Sequence, residues 1–267
     1  MAHRYDSVFV SSLGHSGSTL LDFLLGTGGH AVSLGGWKCV WQRPRAEVTA
    51  QTCSCGAPAL DCSFWGVLIP RLPEGRSRGP ANVVLHDTFA ELFPGRIMVD
   101  SSKDANHLIE HVSRRRTLVL HVSKDVRSWA CRWMDRPNRA GKRKGGLTLI
   151  REWHRRETAA VRRTRGMVDG TDWMQIVYDD LVLGIEAEAE RINRRTGVDL
   201  IDTSVPFTSG EHHILYGNSM KGRTDGRIRY DARWLGRSDW LVPYLLVPRA
   251  RRYNEALRRG EAPGQGD

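Results

Sequence analysis

The residues best placed to do chemistry lie between Ser12 and Thr19, where Gly14, His15, Ser16, Gly17, Ser18 and Thr19 follow an apolar, β-branched run. Two glycines permit a tight backbone turn. The hydroxyls of Ser16, Ser18 and Thr19 supply hydrogen bonds, and an apolar helical run, Thr19–Leu25, begins at once. A small-residue loop that enters a helix aims backbone N–H groups at one point and adds the positive end of the helix dipole. That is the chemistry of an anion site, and a phosphate is its natural ligand.

The loop departs informatively from a Walker A motif, which needs Lys and then Ser or Thr after its last glycine to reach the terminal phosphates and Mg²⁺. Here Gly17 is followed by Ser18 and Thr19, and the cationic candidate, His15, stands before the glycine. Such a loop suits a phosphate-bearing donor that is not cleaved between its phosphates. The same residues would also serve as a plain strand-to-helix turn.

The elements that must position this loop are readable from the apolar pattern. Strands are expected at Ser7–Ser12, Ala31–Leu34, Arg96–Val99, Thr117–Val122 and Trp173–Tyr178. Helices are expected at Ala81–Phe93, Asp104–Arg114, Val126–Met134, Leu147–Arg165 and Ile185–Arg195, with Gly35–Arg45, Leu72–Pro80 and Pro137–Gly146 as loops and Val198–Tyr230 irregular. Strands alternating with helices predict an α/β fold, a parallel sheet with helices on both faces. Ligands of such sheets sit beyond the carboxyl ends of the strands. Polar clusters fall at four of those ends: Gly14–Thr19, Asp100–Lys103, Ser123–Arg127 and Tyr178–Asp180. Their convergence predicts one shared site within a single domain, residues 1–259, with a cysteine-rich insertion near 51–66 and a disordered tail at 260–267.

His15–Leu21 (HSGSTLL), within Ser12–Gly26, resembles the 5′-phosphosulfate loop of sulfotransferases that use 3′-phosphoadenosine 5′-phosphosulfate (PAPS), most closely the bacterial branch. The resemblance implies the P-loop-like sulfotransferase architecture, PAPS as donor and its spent form PAP as product. His121–Trp133 (HVSKDVRSWACRW) is similar to the family's 3′-phosphate segment, with Lys124 at the first Arg position, Arg132 at the serine position and Ser128 nearby. Lysine keeps the charge and gives up the bidentate fork of arginine. Asp125 and Arg127 pair locally in the alternative reading. Tyr178-Asp179-Asp180-Leu181 resembles Tyr-Glu-Asp-Leu, which implies Tyr178 near the adenine or, equally, in the core. His213–Arg223 resembles a late motif that closes over the nucleotide, with Lys221 and Arg223 as phosphate ligands.

Sulfuryl transfer needs cations at the charge that develops in an in-line displacement. His15 and Lys103 are the candidates. His15 must be protonated for this, a form that neighbouring phosphates favour. The acceptor hydroxyl needs a base. Many relatives carry Gly-Glu after the second strand, and here the glutamate position is Gly36. His107 is the tentative base, with Asp104 and His30 as alternatives. Asp100 is expected to hold Lys103 or cap the turn.

The formal net charge is +10, and Arg132–Arg165 carries twelve Lys/Arg against three acids. Such a field attracts an anionic partner or is a solvated helix face. Nucleic-acid binding would leave the four strand-end clusters unexplained, and no apolar run approaches a membrane span. A soluble, cytoplasmic enzyme is expected, acting on a hydroxyl of a small-molecule acceptor, sugar-bearing or of secondary metabolism. Trp37, Trp41, Trp65 and Trp153 offer stacking surface for it. Cys53, Cys55 and Cys62 have no His nearby in sequence and lack the usual ligand gap, so no metal is expected. Cys39 and Cys131 are expected as packed thiols. The alternatives are a PAPS-binding protein without catalysis and a P-loop kinase-like phosphotransferase.

Overall fold

Five parallel strands form the centre of the molecule in the computed structural model, which describes residues 3–73, 77–137, 141–217, 219–222 and 226–261. The strands are β1 (Ser7–Ser12), β2 (Ala31–Ser33), β3 (Ile97–Lys103), β4 (Thr117–Ser123) and β5 (Trp173–Val177), in the order β2-β3-β1-β4-β5. Every residue of β1 and of β4 is buried. Burial of polar and apolar positions alike follows from helices covering both faces of a parallel sheet.

The helices are α1 (Ser18–Leu24), α2 (Lys38–Gln42), α3 (Arg45–Thr49), α4 (Trp65–Arg71), α5 (Arg78–Leu92), α6 (Ala105–Val112), α7 (Val126–Met134), α8 (Gly146–Arg165), α9 (Tyr178–Leu183), α10 (Ile185–Thr196), α11 (Leu241–Leu245) and α12 (Pro248–Arg258). The fold is thus the expected single-domain α/β architecture. Gly35–Arg45, read as loop, contains the short helix α2, and the polar stretch Asp100–Lys103 belongs to β3 itself. Tyr178 opens α9 rather than ending β5.

Chain reversal puts β1 between β3 and β4, so the chain leaves β1 in one direction along the sheet and returns on the other side. The loop after β1 sits at that switch point, where α/β sheets bind ligands. The β1–β3 register slips between Phe9↔Asp100 and Ser11↔Lys103. The extra residue in β3 bends its end and re-aims Lys103, as bulges do.

Helix α8 carries the second half of the basic window. Leu149, Ile150, Trp153, Glu157, Val161 and Thr164 are buried at helical spacing, whereas Arg151, Arg155, Arg156, Arg162 and Arg163 are exposed on the other side. Trp37, Trp65 and Trp153 are fully buried core residues, so the acceptor-surface expectation fails for them. Trp41 lines a separate surface cavity with Val40, Arg43 and Arg45. Among the described residues no helix is long and apolar enough to cross a membrane. The tail from 262 onward lies outside the described residues.

Candidate active site

A cavity of about 550 Å³ opens at the C-terminal end of the sheet, lined by Gly14, His15, Gly17, Ser18 and Thr19 from the first loop, Gly36, Lys38 and Cys39 after β2, and Ser101–Lys103 of β3. Arg43, Arg132, Arg136, Ile214, Tyr216 and Gly217 complete the wall. Two non-glycine residues here have left-handed backbone, His15 and Lys103, each at φ 68. Strain of this kind persists only where surrounding structure enforces it. Gly17, at φ 98, is required twice over. Its conformation disfavours a side chain, and a Cβ there would lie 2.4 Å from Tyr178 Cδ2. Ser16 Oγ is buried without a hydrogen-bond partner among the described residues.

His15 Nε2 accepts from Arg136 Nη1 at 2.8 Å, so the ring proton resides on Nδ1. Burial, followed by the field of Arg136 and Arg132, pulls its pKa down to about 4. Beside these arginines the imidazole of the free site is held toward its neutral form, and Arg136 brings the charge to this part of the cavity. Arg136 follows the C-terminus of α7 and was not foreseen as a site residue. Lys103 projects from the bulged end of β3; burial lowers its pKa, opposed by the carboxyl of Asp22. Arg132 lines the cavity as expected, its pKa lowered by burial and by Arg233 and Arg136.

The expected 3′-phosphate cation, Lys124, is 4% exposed at its side chain and donates to Asp231 Oδ2 at 2.7 Å. Arg233 grips the same carboxylate through Nε and Nη2, at 2.6 and 2.7 Å. Burial opposes ionisation of Asp231, but the hydrogen bonds from Arg233 and Lys124 outweigh it and hold the carboxyl well below the usual range. Ser128 Oγ contacts the Asp231 carbonyl at 3.4 Å. Lys124 Nζ also lies 4.5 Å from the centre of the Tyr178 ring, whose hydroxyl accepts from Asp231 N at 3.2 Å. Tyr178 is buried under Gly17, so its visible role is to prop the loop rather than to present a face to adenine.

Lys221 Nζ donates to Leu215 O at 2.7 Å, on the segment that forms the cavity wall, and Arg223 lies outside the described residues. His107 is corrected as the base. It sits on α6, is buried, packs 5.5 Å from Trp41 and does not line the cavity. Asp104 N-caps α6 through Asn106 N at 2.9 Å, and the His30 ring stacks edge-on against His3 at 5.6 Å. Asp100 holds the turn: it accepts from Ser102 N and Oγ at 2.8 and 2.6 Å, and its other oxygen meets His111 Nε2 at 2.8 Å. Asp125 and Arg127 pair locally, at 2.9 and 2.6 Å. Cys131 is packed, whereas Cys39 is half-buried in the cavity wall rather than packed away.

The carboxyl that does reach the cavity is Asp22, on α1. It accepts from Ser101 Oγ at 2.7 Å and from Ser33 Oγ, tying α1 to β3 and β2. Burial pushes its pKa up to about 7, against the pull of those two hydroxyls. In sequence it reads as one polar position inside an apolar helix, with nothing to mark it.

Two solved structures share this arrangement of strands and helices. The sulfotransferase domain from the curacin biosynthetic pathway superposes with a TM-score of 0.60 at 16% identity, covering 96% of this chain and 98% of that one. The sulfotransferase domain from a Synechococcus olefin synthase gives a TM-score of 0.57 at 15% identity, covering 94% of each chain. This chain has the sulfotransferase fold. No protein-family model matches the sequence, and no curated protein matches it.

Proposed function

We propose that the chain transfers the sulfuryl group of PAPS to a hydroxyl of a small-molecule acceptor. The observation that carries this reading is the cavity over the first loop: five cationic side chains, Lys38, Arg43, Lys103, Arg132 and Arg136, face it, against Asp22 as the carboxyl among the described lining residues. The loop lacks the Walker lysine that a kinase would use. The residues present suit the donor: Ser16 Oγ is a buried hydroxyl in want of a partner, and Gly17 gives the loop its left-handed turn against the Tyr178 ring.

In this reading the first loop and Lys103 hold the 5′-phosphosulfate, and Lys124, Ser128 and Arg132 hold the 3′-phosphate. The S–O bond to the bridging oxygen breaks as the acceptor oxygen bonds to sulfur, giving a sulfate ester and PAP. Lys103 and Arg136 neutralise charge on the departing oxygen. Each well-placed donor contributes ~3–4 kcal/mol on the scale of oxyanion-hole groups. Asp22 takes the acceptor proton, since its pKa of about 7 is matched to that task, and fills the part left open at Gly36. The two similar domains come by name from biosynthetic systems, which supports an acceptor of secondary metabolism.

Calorimetric titration with PAP, beside ADP and AMP, tests the donor. Binding that needs the 3′-phosphate, needs no Mg²⁺ and weakens in Lys124→Ala is the expected result. A preference for Mg·ADP would return the kinase-like reading. Asp22→Asn that binds PAP normally but retains full turnover would remove Asp22 as the base.

A further inference from the structure

Away from the donor loop, three cysteines of the insertion meet a histidine that lies 151 positions beyond Cys62. Cys62 Sγ is 3.2 Å from His213 Nδ1, Cys53 Sγ is 3.9 Å from the same nitrogen, and Cys55 Sγ is 3.8 Å from Cys62 Sγ. The four atoms all lie within 4.8 Å of one another. The expectation of no metal rested on the lack of a nearby histidine, and folding supplies one.

The three shortest separations match the edges of a zinc tetrahedron. Zinc–sulfur bonds of ~2.3 Å and zinc–nitrogen bonds of ~2.0–2.1 Å give S···S edges of about 3.8 Å and S···N edges of about 3.6 Å. The observed separations fall around both values. Gly56, at φ 93, closes the tight turn after Cys55, with its N–H on Cys53 O at 2.9 Å. On the far side of the imidazole, Nε2 is buried and lies 3.9 Å from Glu211 Oε1.

We propose that Cys53, Cys55, Cys62 and His213 bind one Zn²⁺ ion in a closed, structural Cys₃His site. The short Cys-x-Cys spacing has its own reason. Ser54, between the ligands, donates its N–H to Ile214 O at 3.0 Å and takes Ile214 N–H on Oγ at 2.8 Å. The ion therefore clamps the insertion onto the segment whose next residues, Ile214, Tyr216 and Gly217, wall the cavity.

The test is metal analysis of the full-length chain, produced with added Zn²⁺ and purified without chelators. One zinc per chain is expected. Replacement by Co²⁺ should give the visible bands of tetrahedral cobalt with a near-ultraviolet thiolate charge-transfer band. Cys55→Ser changes an exposed ligand, so it should fold and yet lose zinc to a competing chelator far more readily. Cys131→Ser should keep one ion. A zinc-loaded preparation without stoichiometric metal, a Cys55–Cys62 disulfide found by mass spectrometry, or zinc binding unchanged in Cys55→Ser would each overturn the site.

Discussion

Replacing Asp231 by asparagine should tighten PAP binding while weakening the protein itself. Lys124 is almost fully buried, and its ammonium is balanced by Asp231 at 2.7 Å. A phosphate that takes Lys124 must first displace this carboxylate. Removing one partner of a buried pair costs about 3–5 kcal/mol. Asparagine keeps one acceptor oxygen, and Arg233 is half exposed and so partly screened. The net loss is then about 2 kcal/mol. A bound phosphate returns the missing anion and recovers that amount, a gain of roughly thirtyfold in affinity at ~1.4 kcal/mol per tenfold. Without PAP, the same loss should lower the Tm by about 4–8 °C. Calorimetry and thermal melts with and without PAP read both effects. If Asp231→Asn instead weakens PAP binding to the extent that Lys124→Ala does, the carboxylate positions the lysine for its ligand, and the displacement argument is wrong.

Gly17→Ala forces a Cβ to within 2.4 Å of Tyr178 in a left-handed turn; a loss of about 2–5 kcal/mol in denaturant unfolding is expected, partly relieved in the double variant with Tyr178→Ala. Asp22, with its pKa raised to about 7, binds its proton more tightly folded than unfolded. Its favourable contribution is therefore complete below about pH 4 and falls as pH rises to 7, so Asp22→Asn should raise the Tm more at pH 8 than at pH 4, by up to ~4 kcal/mol in stability. His15 sits at about 4; PAP should raise it, so binding at pH 6 should take up protons, seen as a buffer-dependent heat that vanishes in His15→Gln. Lys103→Ala should cut turnover by ~10²–10³, measured against an acceptor panel, with a smaller change in PAP affinity.

The first loop and the positions of the five strands were legible because their signals are local: apolar runs of strand length followed by small or charged residues. The Leu147–Arg165 part of the basic window read correctly as a helix, and its inner face became clear only through the spacing of Leu149, Trp153 and Glu157. What escaped was set by distant pairings. Asp22 looks like a flaw in an apolar helix until β2 and β3 bring Ser33 and Ser101 to it. Arg136 and Asp231 carry no motif, and only packing makes them partners of His15 and Lys124. His107 misled because its helix turns that side chain toward Trp41 instead of the cavity.

The segment that walls the cavity also guards the outer edge of the sheet. Strand β2 lies at that edge, and its Ser33 N–H and C=O are taken by Glu211 O at 3.1 Å and His213 N at 2.6 Å. Bare strand edges recruit other chains. Displacement of residues 211–213 would therefore bare a template for strand addition. A chain with this guard displaced is therefore expected to lose monodispersity in light scattering under conditions where the intact chain keeps it.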